Sequence, residues 1–69
     1  MDSVEKELDS RENDIKNSVE DLFKKHMRIT DIDVPEADDQ KAATILIDIF
    51  KKEVAKIRKD VEAGKYKYY

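Results

Sequence analysis

Residues 41–63 read KAATILIDIFKKEVAKIRKDVEA, and this stretch decides the fold. Apolar side chains recur along it in alternating steps of four and three residues. We call this set the main seam: Ala43, Ile47, Phe50, Val54, Ile57 and Val61. Such a repeat is typical of a helix that packs one side against a partner helix. The stretch therefore predicts a long helix with a helical partner.

The first half of the same stretch has a second apolar side. Between residues 42 and 50 only Thr44 and Asp48 are polar, and a helix that is apolar around most of its circumference is buried on several sides. We call the apolar residues outside the main seam the second face: Ala42, Ile45, Leu46 and Ile49. The second face is the predicted dimer or partner interface, since a monomer rarely leaves such a patch in water. The alternative is that it covers Phe23 and Met27 of the chain's own first helix.

Length and composition limit the class of protein. With 69 residues and no cysteine, the chain is one domain at most, without a disulfide or a thiolate metal site. A domain this short buries little surface, so self-association is the most available route to extra stability. No apolar run approaches the roughly 18–20 residues of a membrane span, and no signal-peptide core is visible. We therefore expect a soluble, cytoplasmic protein that has no membrane partner.

Charge is distributed unevenly along the chain. Residues 1–40 carry 13 acidic and 6 basic side chains, a net charge of −7, whereas residues 41–69 carry 4 acidic and 8 basic side chains, a net charge of +4. Segments of opposite charge attract each other within a hairpin or between subunits. The distribution therefore favours packing of one half of the chain against the other.

A first helix is predicted over residues 2–29. Asp2 and Glu5 fit a capping box, in which the side chain of the first residue accepts a hydrogen bond from a free backbone N–H group. The apolar positions of this helix are Val4, Leu8, Ile15, Val19, Leu22, Phe23, Met27 and Ile29. Arg11 and Glu12 interrupt the apolar side, so we expect the first turns to be weakly held.

A turn is predicted over residues 30–35. Pro35 fixes its own φ and disfavours helical geometry at Val34, so the first helix is expected to end before these residues. A short strand over residues 28–34 is the alternative for this segment.

The second helix is predicted over about residues 35–63. Asp33, which precedes an acidic residue by three positions, is its expected N-cap, and Asp38 is a later alternative. Gly64 follows the last periodic residue and is typical of the position just beyond a helix C-terminus. Residues 64–69 then form a short tail.

Two helices of similar length on either side of one turn favour an antiparallel hairpin. If the chain folds back at residues 32–33, the numbers of facing residues add up to about 65. Apolar residues then face each other in five pairs: Val4 with Val61, Leu8 with Ile57, Ile15 with Phe50, Val19 with Ile47, and Leu22 with Ala43. The sequence thus predicts an all-α fold, an antiparallel two-helix hairpin that dimerises into a four-helix bundle, with Ile15, Ile47 and Phe50 at its buried centre.

The basic residues of the C-terminal half form a candidate nucleic-acid contact. They are Lys51, Lys52, Lys56, Arg58, Lys59, Lys65 and Lys67, accompanied by Tyr66, Tyr68 and Tyr69. Clustered cations bind phosphates, and tyrosine rings stack on unpaired bases. The alternative is a solvated helix face, which the interleaved carboxylates and the preference for Lys over Arg favour.

Metal binding and catalysis are not predicted. The acidic residues around the break are Asp31, Asp33, Glu36, Asp38 and Asp39, but Pro35 stands where an EF-hand needs a third ligand and no glycine follows. His26 is expected to interact as a cation with the C-terminus of the first helix. Ser3, Ser10 and Ser18 belong to no nucleophile motif, so we expect no catalytic residue, no metal and no cofactor.

The function predicted from these patterns is that of a small non-enzymatic protein-interaction or regulatory module acting through helix–helix association. Its expected partner is a second copy of the chain or another helical protein. The alternative is a nucleic-acid-binding accessory protein that uses the basic residues of the second helix and the Lys/Tyr tail.

Overall fold

A computed structural model describes residues 2–68 of the chain. Over these residues the protein is all-helical, with three helices and no strand: α1 (Ser3–Ser10), α2 (Glu12–Asp33) and α3 (Asp39–Glu62). The chain divides between Pro35 and Glu36 into two compact units. The first unit holds α1 and α2, and the second holds α3. The prediction of an all-α fold is therefore confirmed.

The predicted first helix is interrupted near its start. Asp2 is the N-cap of α1, because its Oδ1 accepts a hydrogen bond from the Glu5 N–H at 2.8 Å. α1 ends at Ser10, and Arg11 has non-helical angles, φ −105° and ψ 3°. The Ser10 hydroxyl donates to the Glu7 carbonyl at 2.7 Å, while the Arg11 N–H donates to the Leu8 carbonyl instead. A side-chain hydroxyl thus competes for the carbonyl that a continuing helix would use at Arg11.

α2 runs further than the sequence predicted. It ends at Asp33 rather than at residue 29, so the turn predicted at residues 30–35 begins only at Val34, and the alternative strand over residues 28–34 is wrong. Pro35 restricts only the residue directly before it, and the Val34 N–H still donates to the Thr30 carbonyl at 2.8 Å. Because that bond remains available, nothing stops the helix before Asp33.

α3 begins four residues later than predicted. Its N-cap is Asp38, whose Oδ1 accepts hydrogen bonds from Gln40 N–H at 3.0 Å and Lys41 N–H at 3.2 Å. The first choice of N-cap, Asp33, is wrong because Asp33 is the last residue of α2. A residue cannot end one helix and supply the extended N-cap geometry of the next at the same time.

α3 ends in a Schellman motif. Gly64 has a φ of 81°, in the left-handed region, and its N–H donates to the Val61 carbonyl at 3.0 Å. The Lys65 N–H donates to the Asp60 carbonyl at 3.0 Å, which completes the motif. Residues 63–68, in the region of the predicted short tail, form turns. The prediction that Gly64 ends the helix is confirmed.

No side chain among residues 2–68 is fully buried. Of the three residues predicted at the buried centre, Ile15 and Ile47 are 42% and 41% exposed, and Phe50 is half-buried. An amphipathic helix buries its apolar side only where a second surface covers it. Within the described residues, no helix combines the length and the hydropathy that crossing a membrane requires.

Candidate protein-interaction surface

The second face lies along one side of α3. At about 100° of rotation per residue, its four members fall within about 100° of arc, and the main seam is centred about 110° further around the helix. Ile45 and Ile49 expose 50% and 55% of their surface, whereas Ala42 and Leu46 are half-buried. Ile45 and Ile49 are therefore the more exposed members of the second face.

The main seam also carries exposed apolar side chains. Val54, Ile57 and Val61 are all exposed. A shallow concavity of about 380 Å³ opens along this side of α3, lined by Ile47, Phe50, Lys51, Val54, Ala55 and Arg58. Four of the six lining residues are apolar, and Lys51 and Arg58 add two cations. The main seam predicted from the sequence supplies Ile47, Phe50 and Val54 to this lining. Ala55 lies outside the main seam, so the apolar repeat did not identify it.

The first unit also has exposed apolar side chains. Leu8 is 48% exposed on α1, and Val19 and Leu22 are 54% and 47% exposed on α2. His26 and Ile29 continue the same side of α2, with His26 half-buried. The expected role of His26 at a helix C-terminus is wrong, because α2 continues for seven residues beyond it to Asp33 and has no basic residue in its last turn.

The seven basic residues do not share one face. Lys51 and Arg58 lie beside the main seam, whereas Lys52 and Lys59 lie on the opposite side of α3. Three of the cations are near carboxylates: Lys56 with Glu53 at 4.0 Å, Arg58 with Glu62 at 3.8 Å, and Lys65 with Asp60 at 3.5 Å. The cations of α3 therefore lie on more than one side of the helix and alternate with carboxylates.

Tyr66 and Tyr68 lie in the turns that follow Gly64. Tyr68 is 91% exposed, and the Lys67 Nζ atom lies 5.7 Å from the centre of its ring. Tyr66 is 43% exposed, and Tyr69, the third predicted stacking residue, is outside the described residues. The contact between Lys67 and Tyr68 is a cation–π interaction at the far end of its usual range.

The acidic residues around the break belong to different elements. Asp31 and Asp33 are in the last turn of α2, while Asp38 and Asp39 are the N-cap and the first residue of α3. Asp38 is used for capping. Within residues 2–68, no group of three or more His, Asp or Glu side chains could hold a metal ion. Ser10 and Ser18, two of the three serines considered, donate their hydroxyls to backbone carbonyls.

Comparison of the chain with protein-family models, with curated proteins and with solved structures finds no match.

Proposed function

We propose that the chain is a small, non-enzymatic, cytoplasmic protein-interaction or regulatory module that acts through helix–helix association. The observation that supports this proposal is the exposure of large aliphatic side chains at helical spacing on every helix, such as Leu8 on α1, Val19 on α2 and Ile49 on α3. Exposed apolar patches of this extent mark interaction sites in soluble proteins. Each such side chain gains a few kcal/mol when another surface covers it, at about 25 cal/mol per Å² of apolar area.

The first association in this proposal is an antiparallel hairpin between the two units. The main seam of α3 packs on the apolar side of α1 and α2, in the register in which facing residue numbers add up to about 65. Charges on the flanks agree with this register, because Glu7 then faces Arg58 and Asp14 faces Lys51. The connecting residues 34–38 are long enough for it, since helix–helix connections commonly have two to eight residues.

The second association in this proposal is a homodimer, in which two hairpins form a four-helix bundle through the second face. The second face is separate from the main seam on α3, so one helix can serve both contacts. Ile45 and Ile49 supply the exposed apolar surface, and Ala42 and Leu46 border it. The partner is then a second copy of this chain, and a helical protein with a similar face is the alternative.

Analytical ultracentrifugation of the full chain over a range of micromolar concentrations tests this proposal. We expect a dimer, and we expect Ile49→Glu to dissociate it, because a buried carboxylate without a partner is costly. Thr44→Glu is the matched control: it adds the same carboxylate to the polar side of the same helix, and the dimer should persist. A wild-type chain that remains monomeric at all concentrations would contradict self-association and would direct the search to a different protein partner.

A further inference from the structure

We infer that two copies of this chain pair through antiparallel α3 helices, an inference that rests on the proposed function and specifies its interface. One stripe along α3 and its N-cap residue has the alternating four- and three-residue steps of a helix-pairing surface, and it is acidic at one end and basic at the other. Its members are Asp38, Ala42, Ile45, Ile49, Lys52 and Lys56. We call this set the dimer stripe.

The exposure of the apolar side chains favours the dimer stripe over a second possible line of residues on α3. The second face contains two possible lines of apolar residues, one through Leu46 and one through Ile45. Leu46 is half-buried, whereas Ile45 and Ile49 each expose at least half of their surface. The line through Ile45 therefore has the most apolar area left to cover, and burying that area drives association.

The charges at the two ends of the dimer stripe favour antiparallel over parallel pairing of the helices. In an antiparallel pair centred near Ile47, Ile45 packs against Ile49 of the partner subunit, and Asp38 faces Lys56 of the partner subunit. A parallel pair would instead place each of Asp38, Lys52 and Lys56 beside its own copy. Like charges in contact are unfavourable, so the stripe pairs in the antiparallel direction.

The charged ends of the stripe have local partners, but both remain exposed to solvent and can make a further contact. Asp38 uses its Oδ1 atom to cap α3, and the carboxylate remains exposed. The neighbour of Lys56 is Glu53 at 4.0 Å, and both side chains are more than 60% exposed. An exposed ion pair of this length contributes little, so Lys56 can exchange it for a contact across the interface.

Spin labels on the full chain test the direction directly, because the protein contains no cysteine and single substitutions can be labelled cleanly. Lys59→Cys lies 12 residues from the centre, so antiparallel copies separate the two labels by about 36 Å along the axis. Parallel copies bring them within about 20 Å, since paired helix axes lie 8–10 Å apart. Asp48→Cys, next to the centre, should give a separation below about 25 Å.

The outcomes separate this inference from the function on which it rests. A dimer with a long distance at residue 59 and a short one at residue 48 supports the antiparallel stripe. A dimer with a short distance at residue 59, or a long one at residue 48, overturns the stripe but leaves self-association standing. A chain that sediments as a monomer at every concentration overturns both.

A charge reversal provides a second, independent readout. Lys56→Glu should raise the dimer dissociation constant about tenfold, because two symmetric attractive contacts become repulsive. Lys59→Glu makes the same change beyond the end of the dimer stripe and should have little effect. Added salt should weaken the wild-type dimer, since it screens the attraction between the ends. Equal effects of the two reversals, or a dimer strengthened by salt, would contradict the antiparallel pairing.

Discussion

At the scale of single residues, two aspartates five positions apart have opposite relations to the helices beside them. Asp38 precedes α3 and its carboxylate accepts two backbone hydrogen bonds, whereas Asp33 ends α2, where the carbonyl end of the helix dipole disfavours a negative charge. Both fit the sequence rule for an N-cap, and both were considered from sequence. The capping-box rule favoured Asp33, because Glu36 follows it by three positions, and it failed because it describes the residues that follow a cap and not how far the preceding helix extends.

Asp38→Ala is therefore expected to lower the free energy of unfolding by about 0.5–2 kcal/mol, the usual cost of losing an N-cap side chain. Asp33→Ala is the matched control and should leave stability unchanged or raise it by about 0.3–1 kcal/mol, because it removes an unfavourable charge from a helix C-terminus. Urea unfolding followed by circular dichroism measures both. A larger loss for Asp33→Ala than for Asp38→Ala would place the start of α3 at the earlier aspartate after all.

At the scale of the elements, the break between α1 and α2 is the feature that the hydrophobic pattern predicted only in part. The charged pair Arg11 and Glu12 pointed to weakly held first turns, but not to a non-helical residue. At the break, the Ser10 hydroxyl donates to the Glu7 carbonyl at 2.7 Å, and we attribute the break to this hydrogen bond. A single serine in a helical stretch is common, so its hydrogen bond could not be predicted from the sequence alone.

Ser10→Ala should make Arg11 helical and join α1 to α2, because the Glu7 carbonyl becomes available to the Arg11 N–H. The Cα chemical shift of Arg11 measures the change. Ser18→Ala is the control, since the Ser18 hydroxyl also donates to a carbonyl, that of Asp14 at 2.9 Å, but within a continuous helix. Helical shifts at residue 19 should be the same in the control and the wild-type chain. An Arg11 that stays non-helical in Ser10→Ala would assign the break to the charge pattern instead.

At the scale of the whole molecule, the proposed hairpin packs the acidic half of the chain against the basic half. Charge reversals at Asp14 and Lys51 test the proposed register. Asp14→Lys and Lys51→Asp should each lower stability, and the double variant should recover a coupling of about 0.2–1 kcal/mol, the range of exposed ion pairs. The double-mutant cycle, measured by thermal unfolding, cancels the separate effect of each substitution on its own helix.

The control pair for this cycle is Asp21 and Lys59, which carry the same kinds of charge but do not face each other in the proposed register. Their coupling should be indistinguishable from zero. A coupling of the same size in both cycles would indicate only a general attraction between the two halves of the chain. It would contradict the proposed register, in which the numbers of facing residues add up to about 65.

The sequence alone was sufficient for the all-α class, for the N-cap at Asp2 and for the end of α3 at Gly64. These features depend on apolar spacing and on interactions within one helical turn, which can be read from neighbouring residues. The structure was needed to locate the break at Arg11, to extend α2 to Asp33 and to identify Ile45 and Ile49 as the open part of the second face. The physical reason is that helix limits depend on which donor reaches a given carbonyl, and exposure depends on the three-dimensional surroundings of a side chain, neither of which residue type specifies.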